Sequence, residues 1–165
     1  PLMFINSQFI KFNTSEALVF CKKNIGTWAE NSLTEAQVME MHAYGCQIGS
    51  HTCNHIDMQI ESYEVCFKEV KQDIVSLKNV IGYDVDLFAY PFGRISPNAL
   101  KAVSESKVKY GFSTKSDFLE NSDSDLLLCR TNVGMRSPII VSAYVEGYLD
   151  RFNNYVRSIK SKWRK

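Results

Sequence analysis

Short apolar runs alternate with capped, amphipathic stretches along this chain, and that alternation restricts the fold more than any other feature. The runs are Leu2–Ile5, Cys46–Gly49, Val85–Tyr90, Tyr110–Thr114 and Leu126–Cys129. Runs of this length, bounded by polar or turn residues, read as buried strands. Between the first two, the stretch from Ser15 to Asn24 fits a helix. Ser32-Leu-Thr-Glu35 then has the spacing of a capping box, in which hydroxyl and carboxylate satisfy free N–H groups at a helix start. Leu33, Val38, Met41 and Tyr44 follow at helical spacing, and Gly45 supplies the left-handed position that ends a helix, so the pattern predicts Leu33–Tyr44. A longer amphipathic stretch from Ser62 to Ile81 stops at Gly82. Ser96-Pro97 is a cap followed by proline at the first helical position, where a missing N–H costs nothing, and it opens a helix to Ser106. Ser137-Pro138 repeats that signal ahead of the stripe Ile140, Tyr144, Tyr148, Phe152, Tyr155 and Ile159, which predicts a closing helix or helix pair.

Strands alternating with helices imply parallel β/α units with right-handed crossovers, hence an α/β fold. At 165 residues and 45% hydrophobic content the chain can close one core without disulfides, so residues 1–165 are expected to form a single domain. Nineteen basic against 18 acidic side chains leave a net charge of +1, which gives no global attraction to nucleic acid or to an anionic membrane. Five Lys or Arg in the last nine residues fit a solvated helix end. No apolar run reaches the roughly 18 residues of a membrane span. The five cysteines are odd in number and lack close pairing, so reduced thiols and a cytoplasmic protein are expected. Pro1–Ile10 has no basic leader or small-residue cleavage site. A leader upstream of Pro1 would instead direct the chain to the envelope.

In parallel α/β folds the polar residues just after strand C-termini line the ligand site. Three segments qualify here: Ser50–His55, Tyr90–Gly93 and Arg130–Asn132. The first contains two of the three histidines of the chain, His51 and His55, four residues apart behind Gly49. Two imidazoles at that spacing can meet one cation if the segment turns helically, and neutral imidazole is a common ligand for zinc and related divalent ions. By spacing alone, a ligand pair and two surface histidines are equally good readings. A zinc metalloprotease is excluded, because that motif places Glu after the first His and the residue here is Thr52. Cys53 shares a face with both histidines only in an extended segment and points away in a helical turn. Tyr90-Pro-Phe-Gly93, taken alone, is a turn with packed aromatics.

Two segments carry a family resemblance. The first, Leu33-Thr-Glu-Ala-Gln-Val-Met-Glu-Met-His-Ala-Tyr-Gly-Cys-Gln-Ile-Gly-Ser-His-Thr-Cys-Asn-His55, resembles the helix and His-Ser/Thr-x-x-His motif of NodB-type polysaccharide deacetylases, carbohydrate esterase family four. Phe88-Ala-Tyr-Pro-Phe-Gly93 resembles the next motif of that family, in the same order and at a similar spacing. The strand at Pro1–Ile10 and the segments Tyr110–Thr114 and Cys129–Val133 are also similar, less specifically. The resemblance implies a distorted (β/α) barrel that removes N-acetyl groups from the amino sugars of a polysaccharide or oligosaccharide by metal-assisted hydrolysis. It assigns His51 and His55 to a divalent metal, with zinc the expected ion, and gives Thr52 the role of bracing the loop. Tyr90, Pro91, Phe92 and Gly93 become the groove wall, with the Phe92 backbone N–H holding the oxyanion. Arg130 matches the arginine that orients the catalytic base.

The family's first motif, a strand ending in Asp-Asp-Gly, supplies that base and a third metal ligand. No adjacent Asp-Asp pair occurs in this sequence, so the motif is expected upstream of Pro1 and the barrel is expected to be incomplete. Asp84 and Asp86 flank a strand start and read as solvated loop carboxylates. No histidine follows His55, which leaves the general acid unassigned. Two functions follow: a metal-dependent carbohydrate deacetylase, or a catalytically inactive barrel of the same type that binds glycan or a partner. An α/β hydrolase is disfavoured, because no Gly-x-Ser-x-Gly elbow is present.

Overall fold

The structure, a computed structural model, describes residues 1–26, 31–115, 124–132 and 138–147. Four parallel strands, β1 (Leu2–Ile5), β2 (Gln47–Ser50), β3 (Leu87–Ala89) and β4 (Tyr110–Phe112), form one sheet in sequence order. Five α-helices are described: α1 (Thr14–Phe20), α2 (Glu35–Ala43), α3 (Tyr63–Ile81), α4 (Pro97–Glu105) and α5 (Pro138–Val145). This is the α/β architecture of a distorted barrel, with a sheet that is not closed. Ile5, Ile48 and Val38 pack with Leu77 in one core cluster, and Phe88 and Tyr90 pack with Val70, Ala99 and Val103 in another. Helix α3 contributes to both, so it is the spine of the helical layer.

The opposite face of the sheet is rolled inward. Phe4 and Phe112 come from the two outermost strands, yet their ring centroids lie 5.3 Å apart. Gly49 permits this curvature on β2, because a Cβ there would stand 2.6 Å from the Phe4 ring. The guanidinium of Arg130 lies 5.7 Å from the centroid of the same ring. Three aromatic or cationic groups thus fill the concave side below the strand ends.

The cap at α2 is displaced from the predicted one. Thr34 and Gln37, not Ser32 and Glu35, form the reciprocal box, and the helix begins two residues after Leu33. Glu35 consequently sits in the first turn, where its charge suits the helix dipole. Ser62 caps α3 and Gly82 ends it, and Ser96 caps α4, as their residue types indicate. The stretch from Ser15 to Asn24 divides into α1 and a π-helical turn at Cys21–Ile25. Leu126–Cys129 is not a strand. It makes one parallel bridge, Phe112 to Leu128, because Ser124 turns the chain at the approach by accepting from the amides of Leu126 and Leu127. Of the predicted closing stripe, Tyr148, Phe152, Tyr155 and Ile159 lie outside the described residues. The cysteines Cys21, Cys46, Cys53, Cys66 and Cys129 form no disulfide. Among the described residues no helix is long and apolar enough to cross a membrane.

Candidate active site and metal centre

The loop that leaves β2 carries His51 and His55, whose ring centroids are 4.9 Å apart in an edge-on arrangement. His51 is the first residue beyond β2. Its Nδ1 lies 2.6 Å from the carbonyl oxygen of Ala89 at the end of β3. A carbonyl can only accept, so Nδ1 carries the proton and the neutral ring presents Nε2 as a lone pair. Burial pushes the His51 imidazole down to about 4; the Ala89 carbonyl opposes this, while His55 and the Arg130 guanidinium add to it. His51 is therefore neutral at physiological pH, the form a metal ligand requires.

The backbone of the loop is held from behind. Asn6, just past β1, donates from Nδ2 to the carbonyls of His51 (2.6 Å) and Thr52 (2.9 Å). Asp73 of α3 accepts from the Ser7 amide (2.7 Å), the Ser50 hydroxyl (2.6 Å) and the His51 amide (3.0 Å). Burial pushes the Asp73 carboxyl up, and these donors pull it back. One turn earlier on α3, Glu69 accepts from the backbone and side-chain amides of Asn54 at 2.9 and 2.7 Å. Sequence patterning missed this role of α3. The signal was present: Asp73 occupies the buried stripe Cys66, Val70, Asp73 and Leu77, where an apolar residue is expected.

These contacts hold a strained segment. Thr52 (φ 66°), His55 (φ 53°) and Phe92 (φ 56°) are three of the four non-glycine residues described with left-handed backbone. Such residues cost on the order of 1–3 kcal/mol each and persist only where surrounding structure enforces them. His55 is buried and its Nδ1 has no hydrogen-bond partner; burial lowers its pKa against the pull of the Asn24 carbonyl. Its ring stands edge-on to Phe92, with centroids 4.6 Å apart. Thr52 is fully buried with its hydroxyl unpartnered. Cys53 turns towards the Ser7 hydroxyl at 3.6 Å, and burial pushes its thiol up to about 11.

Beyond β3, Tyr90 and Pro91 are fully buried, so the surface that the Tyr90–Gly93 segment offers to solvent comes chiefly from Phe92, which is 43% exposed. Among the described residues the Phe92 amide has no acceptor. Gly93 (φ 65°) is required where it stands, because a Cβ would lie 1.8 Å from the Thr114 hydroxyl oxygen. Arg94 lies against the Phe92 ring and pairs with Asp57. Phe92, His55 and Asp57 border a cleft of about 510 Å³ that extends to Lys23 and Glu61. Arg130 is exposed on the concave side near His51. His42, by contrast, is remote from this site: its Nδ1 donates to the Cys46 carbonyl at 3.1 Å, at the start of β2.

Residues 8–111 match the family model for polysaccharide deacetylases. The chain belongs to the polysaccharide deacetylase family. Relatives agree with that membership. YxkH of Bacillus subtilis (strain 168) is 26% identical over 138 residues, 82% of this chain and 48% of YxkH. The Streptococcus pyogenes deacetylase PplD is 26% identical with a TM-score of 0.59, over 68% of this chain and 49% of PplD. IcaB from Ammonifex degensii, at 19% identity, shares the fold with a TM-score of 0.68 over 87% of this chain and 60% of IcaB. The chain thus spans about half the length of YxkH and PplD. Polysaccharide deacetylases generally use a divalent metal. Tested against that, this chain supplies two imidazoles with nitrogens not engaged elsewhere, Nε2 of His51 and Nδ1 of His55. Two such donors fit part of a divalent-ion site, since catalytic zinc commonly takes about three protein ligands. Among the described residues no third His, Cys, Asp or Glu completes a cluster with them.

Proposed function

We propose that this domain hydrolyses N-acetyl groups from the amino sugars of a polysaccharide or glycan precursor, with His51 and His55 as ligands of a divalent ion, zinc by preference. The observation that carries this reading is the close approach of two imidazoles, with His51 held neutral, in the loop beyond β2 of a deacetylase fold. Such an ion, when bound, polarises a carbonyl oxygen and acidifies water. The chain's own residues do the rest of what is assigned to it here. His51 keeps its lone pair available because the Ala89 carbonyl fixes the tautomer. Thr52 and Asn6 shape the loop that carries both rings. The Phe92 amide, left without an acceptor by its left-handed turn, is a donor for the oxyanion that forms as the acetyl carbonyl is attacked. Gly93 and Pro91 fix that turn, and Tyr90 anchors it in the core. Arg130 is a cation beside His51 and would orient a catalytic carboxylate. The solved structure of PplD is a complex with acetate, the product such a reaction would release.

One observation favours a second reading, a barrel that binds glycan without turnover: the described residues provide two ligands and no third. Titration with zinc or cobalt, parent against His51→Ala, tests the site, and equal affinity refutes the ligand assignment. Acetate release from chitooligosaccharides that disappears in His51→Ala supports the hydrolase. Glycan binding with no acetate released supports the second reading.

A further inference from the structure

We infer that Asp73 is a positioning residue for His51, a role that rests on the proposed function of the histidine pair. Asp73 is fully buried in the stripe of α3 otherwise made of Cys66, Val70 and Leu77. A carboxylate in such a place is unfavourable unless hydrogen bonds compensate for its lost hydration. Here the compensation comes from donors at the exits of two strands: the Ser7 amide beyond β1, and the Ser50 hydroxyl and His51 amide at the end of β2. Oδ1 takes the first and Oδ2 the other two, so a single carboxylate ties the strand ends together. The Asp73 contacts are all donors, a set that suits an anionic acceptor and no apolar or amide side chain of equal size. The His51 amide is shared with the Ile5 carbonyl at 3.1 Å, so Asp73 is the second of two acceptors that set the backbone from which the imidazole leaves. With the backbone so placed, Nδ1 reaches Ala89 and the lone pair is left on Nε2. Asp73 therefore acts on the metal ligand through its main chain, where outer-sphere partners usually act through the ring.

Asp73→Asn keeps the volume but turns an N–H₂ group towards at least one donor. Zinc affinity is expected to fall about tenfold to a hundredfold, as is usual when an outer-sphere partner is lost. In the metal-free variant, ¹⁵N NMR of the His51 ring should show loss of the single Nδ1–H tautomer, a change that a purely structural role would not produce. Folding is checked by near-UV circular dichroism. A folded Asp73→Asn protein with parental zinc affinity and the parental tautomer overturns the inference. If Asp73→Asn does not fold, Ser50→Ala removes one of the three donors; a smaller fall in affinity is expected, and parental affinity together with an unchanged tautomer overturns the inference. His51→Ala separates the two ideas. Should it bind zinc as the parent does, the ligand assignment fails, and Asp73 is judged on the tautomer alone, which Asp73→Asn must still disturb.

Discussion

His51 and His55 stand four residues apart, and the regions around them are built differently. The His51 region belongs to the sheet: its amide, carbonyl and ring are hydrogen-bonded to Asp73, Asn6 and Ala89, each on a different element. The His55 region is off the sheet and is held by packing, with a left-handed backbone, an unpartnered Nδ1 and the edge of Phe92 as neighbour. One ring is fixed by directional bonds to three other parts of the chain, and the other chiefly by its packing against Phe92. The sheet-bound ring should therefore be sensitive to protons and acceptors, and the packed ring to steric change along Phe92 and Gly93.

The strongest way to break this contrast is at Gly93. Gly93→Ala combines a left-handed alanine with a Cβ pressed onto Thr114, and the expected loss of stability is roughly 3–5 kcal/mol in urea unfolding. A loss under about 1 kcal/mol would show that the turn carrying Phe92 is free to shift. Acid tests the His51 side next. Its folded pKa of about 4 lies below the unfolded value near 6.5, so the unfolded chain takes up the proton first. Stability is complete above about pH 6.5 and is lost as pH falls towards 4, by on the order of 3 kcal/mol for this group. His51→Gln should flatten that part of the pH–stability curve; an unchanged curve would assign the acid sensitivity elsewhere. Phe92→Ala removes a half-exposed ring and its contact with His55, for a loss of about 1–2 kcal/mol. It should disorder His55 in NMR spectra while leaving the His51 ring signals in place. Arg94→Ala breaks an exposed ion pair with Asp57 and should change stability by less than about 0.5 kcal/mol.

The sequence carried the sheet-bound half of this contrast more clearly than the packed half. The helices with hydroxyl caps and terminal glycine, α3 above all, are legible because capping chemistry is local. The strands are shorter than their apolar runs: Val85–Tyr90 contracts to Leu87–Ala89, since hydrophobicity extends to buried residues that make no ladder bonds. At α2, two overlapping box patterns, Ser32-x-x-Glu35 and Thr34-x-x-Gln37, compete on equal sequence terms, and tertiary placement selects the second. The histidine pair could be found by motif. Its left-handed backbone could not, because Thr and His are not residues that announce positive φ. Asp73 and Asn6 lie 22 and 45 positions from His51, and only the fold brings them to it.

Between β2 and β3 the ladder register is recorded at one pair, Ser50 with Phe88, and the next bond up is made by a side chain, from the His51 ring to Ala89. The imidazole is in effect a rung of the sheet. Carbonyls along a strand point alternately to either neighbour, so a slip of β3 by one residue would aim the acceptor at β4 and leave Nδ1 facing none. Strand alignment and the His51 tautomer are then one variable: a state that shifts β3 removes the acceptor of Nδ1, and with it the constraint that keeps the lone pair on Nε2.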